Sequence, residues 1–178
     1  MKKLNRPSNK INHGFTLVEL MVTLAVLSIV LGVGIPSIQS LIDNGRITSQ
    51  TNQTIGLVSY ARSEAAKRTG TTITVCGSSN ESTCNTANWE SGWLVMSDVD
   101  GDRVLDAGDQ LLRVGTALTG GNTLRTVGFA NNSFIQFDAS GSPGTSGTFV
   151  LCDDRGATEA KAIVLSIVGQ SRAAVDED

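Results

Sequence analysis

Residues 14–36 read GFTLVELMVTLAVLSIVLGVGIP. From Phe15 to Ile35 this is 21 residues with a single charge, Glu19. As a helix rising ~1.5 Å per residue it reaches about 30 Å, the thickness of the hydrocarbon layer of a bilayer. Ahead of it stands MKKLNRPSNKINHG, which carries Lys2, Lys3, Arg6 and Lys10 and no acid. A secretory signal loses its apolar stretch on processing, because the cut falls after it. Here the small residue suited to a cut, Gly14, comes first. Cleavage between Gly14 and Phe15 would discard the positive charges and keep the helix as the new N-terminus. Residues 1–14 are thus predicted to be a cleaved basic leader and residues 15–35 a transmembrane helix. The leader's charge favours retention of that end on the cytoplasmic side, with the body of the chain translocated.

Pro36 removes one helical hydrogen bond, and Gly32 and Gly34 loosen the turn before it, so a kink is expected there. Beyond it, Ile38, Leu41, Ile42, Ile55, Val58, Ala61 and Ala65 recur at helical spacing. Gln39, Asn44, Gln50, Asn52, Gln53 and Ser63 are expected on the opposite, polar face. Lys67 and Arg68 suit the carbonyl end of a helix, and Gly70 suits the residue that leaves it. Residues 36–69 are predicted to continue the helix in amphipathic form.

After Gly70 the period changes to two. TTITVC (71–76), GWLVMS (92–97), QLLRV (110–114), LRTVG (124–128), SFIQF (133–137), GTFVLC (147–152) and AIVLSIV (162–168) are predicted as seven strands. Gly, Ser and Asn cluster between them as turns. The fold class is therefore α+β: a long N-terminal helix whose amphipathic half packs on an antiparallel β-sandwich or curved sheet spanning residues 70–178. The tail AAVDED is expected to be a solvated end.

Several function classes drop out. The single histidine, His13, lies in the leader, so processing removes every imidazole, and with it His-activated nucleophiles and His-ligated metals. Loss of the leader's four basic groups leaves ten against seventeen acids, a net of −7. That balance disfavours general nucleic-acid binding, which needs a basic footprint. No enzymatic activity and no obligatory cofactor are expected.

Of Cys76, Cys84 and Cys152, an exported domain would pair two. Cys76 with Cys84 closes a short loop; Cys76 with Cys152 is an alternative, and zinc a third reading. Asp98, Asp100, Asp102, Asp106 and Asp109 occupy positions one, three, five, nine and twelve of a calcium-loop pattern. Against calcium stand Arg103 at the sixth position, where Gly makes the turn, and Asp109 at the twelfth, where Glu is usual. The alternative is an Asp/Gly hairpin loop whose side chains cap their own backbone. Trp93 is expected in the core or its rim, and Trp89 is open to a partner-facing role.

Taken together, GFTLVELMVTLAVLSIVLGVGIP resembles the N-terminal signature of type IV pilins and type II secretion pseudopilins. The carrying residues are the glycine before the cut (Gly14), an aromatic first mature residue (Phe15), a glutamate fifth (Glu19) and a later proline (Pro36). The downstream segments TVCGSSNESTC, WESGWLVMSDVDGDRVLDAGDQLLRV and FVLCDDRGATEAKAIVLSIVGQSR are similar to minor pilins and pseudopilins of the H/FimT/FimU kind. This resemblance implies cleavage by a prepilin peptidase and N-methylation of Phe15. It also implies storage in membrane lipid as a single-pass inner-membrane protein with a periplasmic C-terminal domain. An inner-membrane assembly platform would then pass the chain into a pilus or pseudopilus among other major and minor pilins or pseudopilins.

Glu19 is the sharpest single residue. A carboxylate among lipid tails costs on the order of 2.5–3.5 kcal/mol, so it calls for a partner. The amine freed at Phe15 lies one helical turn earlier, on the same face. A self-pair within the chain or a protonated glutamate is the plain alternative; the family signature favours pairing with a neighbouring subunit. Three functions are implied: a minor pilin that helps initiate assembly at a pilus tip, an H-type minor pseudopilin, and a DNA-uptake pilus subunit. The last is disfavoured. Relatives that take up DNA carry Gly-Arg-x-Arg near the C-terminus, whereas this chain has Gly169-Gln170-Ser171-Arg172 followed by Asp176, Glu177 and Asp178. Arg172 is instead expected to cap a strand end or remain solvated.

Overall fold

A computed structural model describes residues 14–174. The leader cut and the fate of the acidic tail concern residues 1–13 and 175–178, outside the described residues. One helix, α1, runs Leu17–Lys67. Eight strands follow: β1 (Thr72–Gly77), β2 (Trp93–Asp98), β3 (Gln110–Gly115), β4 (Thr123–Val127), β5 (Phe134–Phe137), β6 (Gly147–Cys152), β7 (Lys161–Leu165) and β8 (Ser171–Ala173). The chain divides into two compact units between Leu41 and Ile42, so the second unit comprises the C-terminal part of α1 and all the strands.

Thr16 starts the helix: its hydroxyl accepts from the Glu19 backbone N–H at 3.2 Å, as an N-cap does in a Thr-x-x-Glu sequence. The helix assignment continues through Pro36 to Lys67. Glu64 then fastens the last turn by pairing with Lys67 at 2.8 Å and Arg68 at 3.3 Å. The chain leaves through Gly70, whose φ of +82° belongs to the left-handed region that only glycine enters freely.

In the second unit, β3-β2-β1-β5 and β4-β6-β7-β8 form two antiparallel four-stranded sheets. Three sources meet in one core. Ile47, Leu57, Val58, Ala61 and Ala65 come from α1; Ile73, Val75, Val95, Ile135 and Phe137 from the first sheet; Leu124, Phe149, Leu151, Ile163 and Leu165 from the second. On β6 and β7 burial alternates, so the far face of that sheet is at least partly open. The central strands β1 and β2 are instead buried on both faces, because Cys76, Leu94 and Met96 pack with Cys84, Leu105 and Phe134 on the outer side. Each large apolar side chain removed from water this way contributes roughly 1.5–3 kcal/mol.

The sequence expectations meet corrections at three places. Gln50, assigned to the polar face, is buried, as are Thr51 and Thr54. Gln50 survives burial because its amide donates to the Thr119 carbonyl and its oxygen accepts from the Asn122 side chain. The threonine hydroxyls donate to the helix carbonyls of Ile47 and Gln50. Trp89 is wholly buried and faces no partner: its indole N–H donates to the Asn132 carbonyl at 2.8 Å and its ring meets Phe149 edge-on at 5.3 Å. Finally, AIVLSIV is not one strand. β7 stops at Leu165, a turn follows in which Ser166 donates to the Gln170 carbonyl, and β8 returns beside β7.

Candidate functional site

The N-terminal part of α1 is the molecule's most unusual surface. Seventeen large apolar side chains from Phe15 to Ile42 stand exposed, Phe15 at 85%. The most apolar 18-residue stretch has a mean hydropathy of 2.4 and buries nothing in the chain itself. By length and composition this helix can cross a membrane. Three of its hydroxyls suit an apolar medium. Thr23 donates to the Leu20 carbonyl, Ser28 to Ala25 and Ser40 to Ser37, each at 2.8–2.9 Å, so none of the three presents a bare donor.

Glu19 differs from them. Its backbone N–H is satisfied by Thr16, but its carboxylate makes no hydrogen bond or ion pair among the described residues. It sits in the first turn, where the helix dipole favours a negative charge. Gly14 lies just outside the helix, with no atom of the described residues within 4 Å of where a Cβ would stand. The structure thus puts Gly14, Phe15 and Glu19 together at one exposed helix start. Pro36 lies well down the same helix.

The cysteines resolve as a Cys76–Cys84 disulfide with Cα atoms 5.4 Å apart, leaving Cys152 free and half-buried. The bridge closes a loop that continues into the acidic segment. Cys84 N–H donates to the Arg103 carbonyl, Leu105 N–H to Ser82, and Thr83 pairs with Val104. Disulfide loop and aspartate loop are therefore one zipped structure over the outer face of the first sheet.

Within it, oxygens of Asp98, Asp100, Asp102 and Asp109 lie within 4.8 Å of one another, a donor set of the type that hard cations accept. Asp106 is not among these four. Burial, and then repulsion from the other four aspartates, pushes its carboxyl above the ordinary range. Each carboxylate of the group already holds backbone. Asp98 accepts from Gly101 and Arg103 N–H and from the Thr74 hydroxyl, Asp100 from Asp102, Asp102 from Val104, and Asp109 from Val99 and Asp106. Arg103, standing where a calcium loop has glycine, adopts the left-handed φ of +69° and lays its guanidinium over Phe134. The arrangement can hold a cation, and equally it builds a loop from its own side chains.

Two more carboxylates are structural. Burial pushes Glu90 up, but the Arg125 guanidinium and the N–H groups of Glu90 itself and Leu124 outweigh it and hold the carboxyl below its ordinary value. Asp153 is held low by Arg155, which also donates to Asn44 of α1 at 2.7 Å. Arg172 lies on β8, exposed, on the wall of a groove shared with Arg62 of α1. Arg62 carried no sequence signal.

The comparisons with known proteins fit this anatomy. The family model described as type II transport protein GspH matches residues 50–169, and the prokaryotic N-terminal methylation motif matches residues 9–35. No curated protein matches the chain. Two crystal structures of the type IV minor pilin FimU of Pseudomonas aeruginosa are similar in fold. One is 19% identical, covering 76% of this chain and 92% of that one with a TM-score of 0.58. The other, from a second crystal form, is 20% identical, covering 72% and 92% with a TM-score of 0.55. With the methylation motif leading into a matching β unit, the chain belongs to the family of the type II transport protein GspH.

Proposed function

We propose that this chain is a minor pilin that enters a type IV pilus at or near its tip and helps initiate assembly there. The observation that carries the reading is the pairing of an exposed apolar helix, bearing one unpartnered carboxylate at its start, with a self-contained β unit. A prepilin peptidase would cut after Gly14, and Phe15 would carry the methylated amine. The helix would hold the chain in the inner membrane until the assembly platform extracts it. Lipid contacts are then exchanged for contacts with neighbouring helices, and Glu19 gains the amine of an adjacent subunit. Neutralising both charges in a low-dielectric filament core fixes the axial register as well as the energy.

An H-type minor pseudopilin of a type II secretion system is the second reading, favoured by the description of the matching family. A DNA-uptake role finds little support in a mature chain of net charge −7. In either leading reading the chain works by assembly and carries out no reaction. The acidic loop serves as a self-capped brace, so its melting temperature should not change between calcium and chelator.

The test is substitution of Glu19 by Ala or Lys. Membrane insertion and cleavage should persist while recovery in sheared filaments falls at least tenfold. Normal incorporation would contradict the pairing.

A further inference from the structure

Nine-tenths of the way along the chain, the β7–β8 turn folds toward the last turns of α1, and a groove of about 630 Å³ lies between them. Arg62 and Arg172 both line it, and among the described residues no acidic one does. These two are set apart from the other described arginines. Arg46, Arg68, Arg125 and Arg155 each pair with a carboxylate. Arg103 and Arg113 lie over the rings of Phe134 and Tyr60. The side chains of Arg62 and Arg172 have no ion pair, hydrogen bond or ring contact among the described residues, and they share one concavity.

Arg62 is also held in place. A Cβ on Gly141 would come within 3.0 Å of its Cγ, and one on Gly169 would meet the Gly141 carbonyl and lie 3.2 Å from the Arg62 Cδ. Both glycines have positive φ, +76° and +77°, so no other residue would fit as easily. Two glycines, one in each turn, thus form a slot for the half-buried Arg62 stem, leaving its guanidinium in the groove. The hydroxyls of Ser59 and Ser171 line the same wall and have no partner among the described residues. Exposed Ile167 and Val168 stand at the adjoining turn.

We propose that this groove is a binding site for a polypeptide segment carrying one or two carboxylates, flanked by apolar residues that cover Ile167 and Val168. Guanidinium groups bind carboxylates through paired, charge-assisted hydrogen bonds, and the serine hydroxyls supply further donors. A peptide fits better than a nucleic acid. Two cations do not make the stripe that a phosphate backbone follows, and the mature chain's net charge of −7 repels a long polyanion. One or two carboxylates meet only the groove. The proposal holds whether the chain serves a pilus or a secretion machine.

The experiment titrates the full chain in detergent micelles with the peptide Gly-Glu-Ile-Glu-Gly and follows arginine Nε–Hε resonances by NMR. Those of Arg62 and Arg172 should shift saturably while that of Arg113 stays fixed. Arg172→Gln, on an exposed strand, should weaken binding about tenfold, the loss of one charge-assisted contact. Arg62→Gln should do the same, and Arg62→Lys, which keeps stem and charge, should weaken it less than Arg62→Gln does. Unmoved Arg62 and Arg172 resonances, or unchanged affinity in both glutamine variants, would overturn the proposal. So would an oligothymidylate that shifts the same resonances at lower concentration than the peptide.

Discussion

Leu24 and Leu57 belong to one continuous helix and have opposite surroundings: the first is 57% exposed, the second 2%. Around Leu24 every large side chain is apolar and none is covered by the chain. Around Leu57 the helix buries Ile47, Val58, Ala61 and Ala65 and, with them, the polar Gln50, Thr51 and Thr54. Apolarity therefore does not by itself decide which part of a helix the fold covers. The second unit closes its own core, and accepts polar groups where it can satisfy them. The first closes nothing, and an exposed apolar surface of that extent marks a site for lipid or another protein. Two different solvents have shaped one helix.

The contrast predicts where substitutions register. Phe149→Ala, which removes a ring packed against both Trp89 and Phe129, should lower the stability of the β unit by about 3–5 kcal/mol, read from urea unfolding of the full chain in micelles. A loss under 1 kcal/mol would show that the core is not shared among helix and sheets as described. Next in size is the disulfide. Cys76→Ser should cost about 2–3 kcal/mol through the unfolded chain's regained freedom, whereas Cys152→Ser should change the unfolding midpoint far less.

Glu90→Gln comes third, at about 1 kcal/mol, since Arg125 and the Leu124 N–H lose a charged acceptor in a partly exposed site. Its pH dependence follows from the direction of the shift. A carboxyl held below its ordinary value of 4.5 contributes its full stability above that pH and loses it as the pH falls through the folded-state value. Asp153 acts in the same sense and Asp106, raised by burial and then by repulsion, in the opposite one. Unfolding midpoints at about pH 6 and about pH 3 should therefore differ less in the Glu90→Gln variant than in the parent. The smallest effect belongs to the first unit: Leu24→Ala should shift β-unit stability by less than about 0.5 kcal/mol, because Leu24 touches nothing in that core. A large loss there would erase the distinction between the two halves.

Much of this was legible in the residues. The apolar run, the period change after Gly70 and seven of the eight strands follow from patterning, because β-branched and aromatic residues alternate between turn clusters. What escaped was decided by tertiary partners. Gln50 looks like a surface residue until Thr119 and Asn122 arrive from 69 and 72 residues away to satisfy it. Ile167 and Val168 look like strand but form an exposed turn, which hid β8. Arg62 has no local mark at all: its slot comes from glycines about 80 and 107 residues later in the sequence, which only the fold brings to it. The acidic loop was legible as a pattern, while the capture of backbone N–H groups by Asp98, Asp100, Asp102 and Asp109 was visible only in the structure.

Assembly of this kind requires removal of the basic leader ahead of the apolar helix, with that helix retained. Intact-mass and N-terminal sequencing mass spectrometry of the protein recovered from cells tests this directly. The expected product begins at Phe15 and is one methyl group heavier than the bare chain. A product that still begins at Met1, or one cut beyond Ile35, would contradict it.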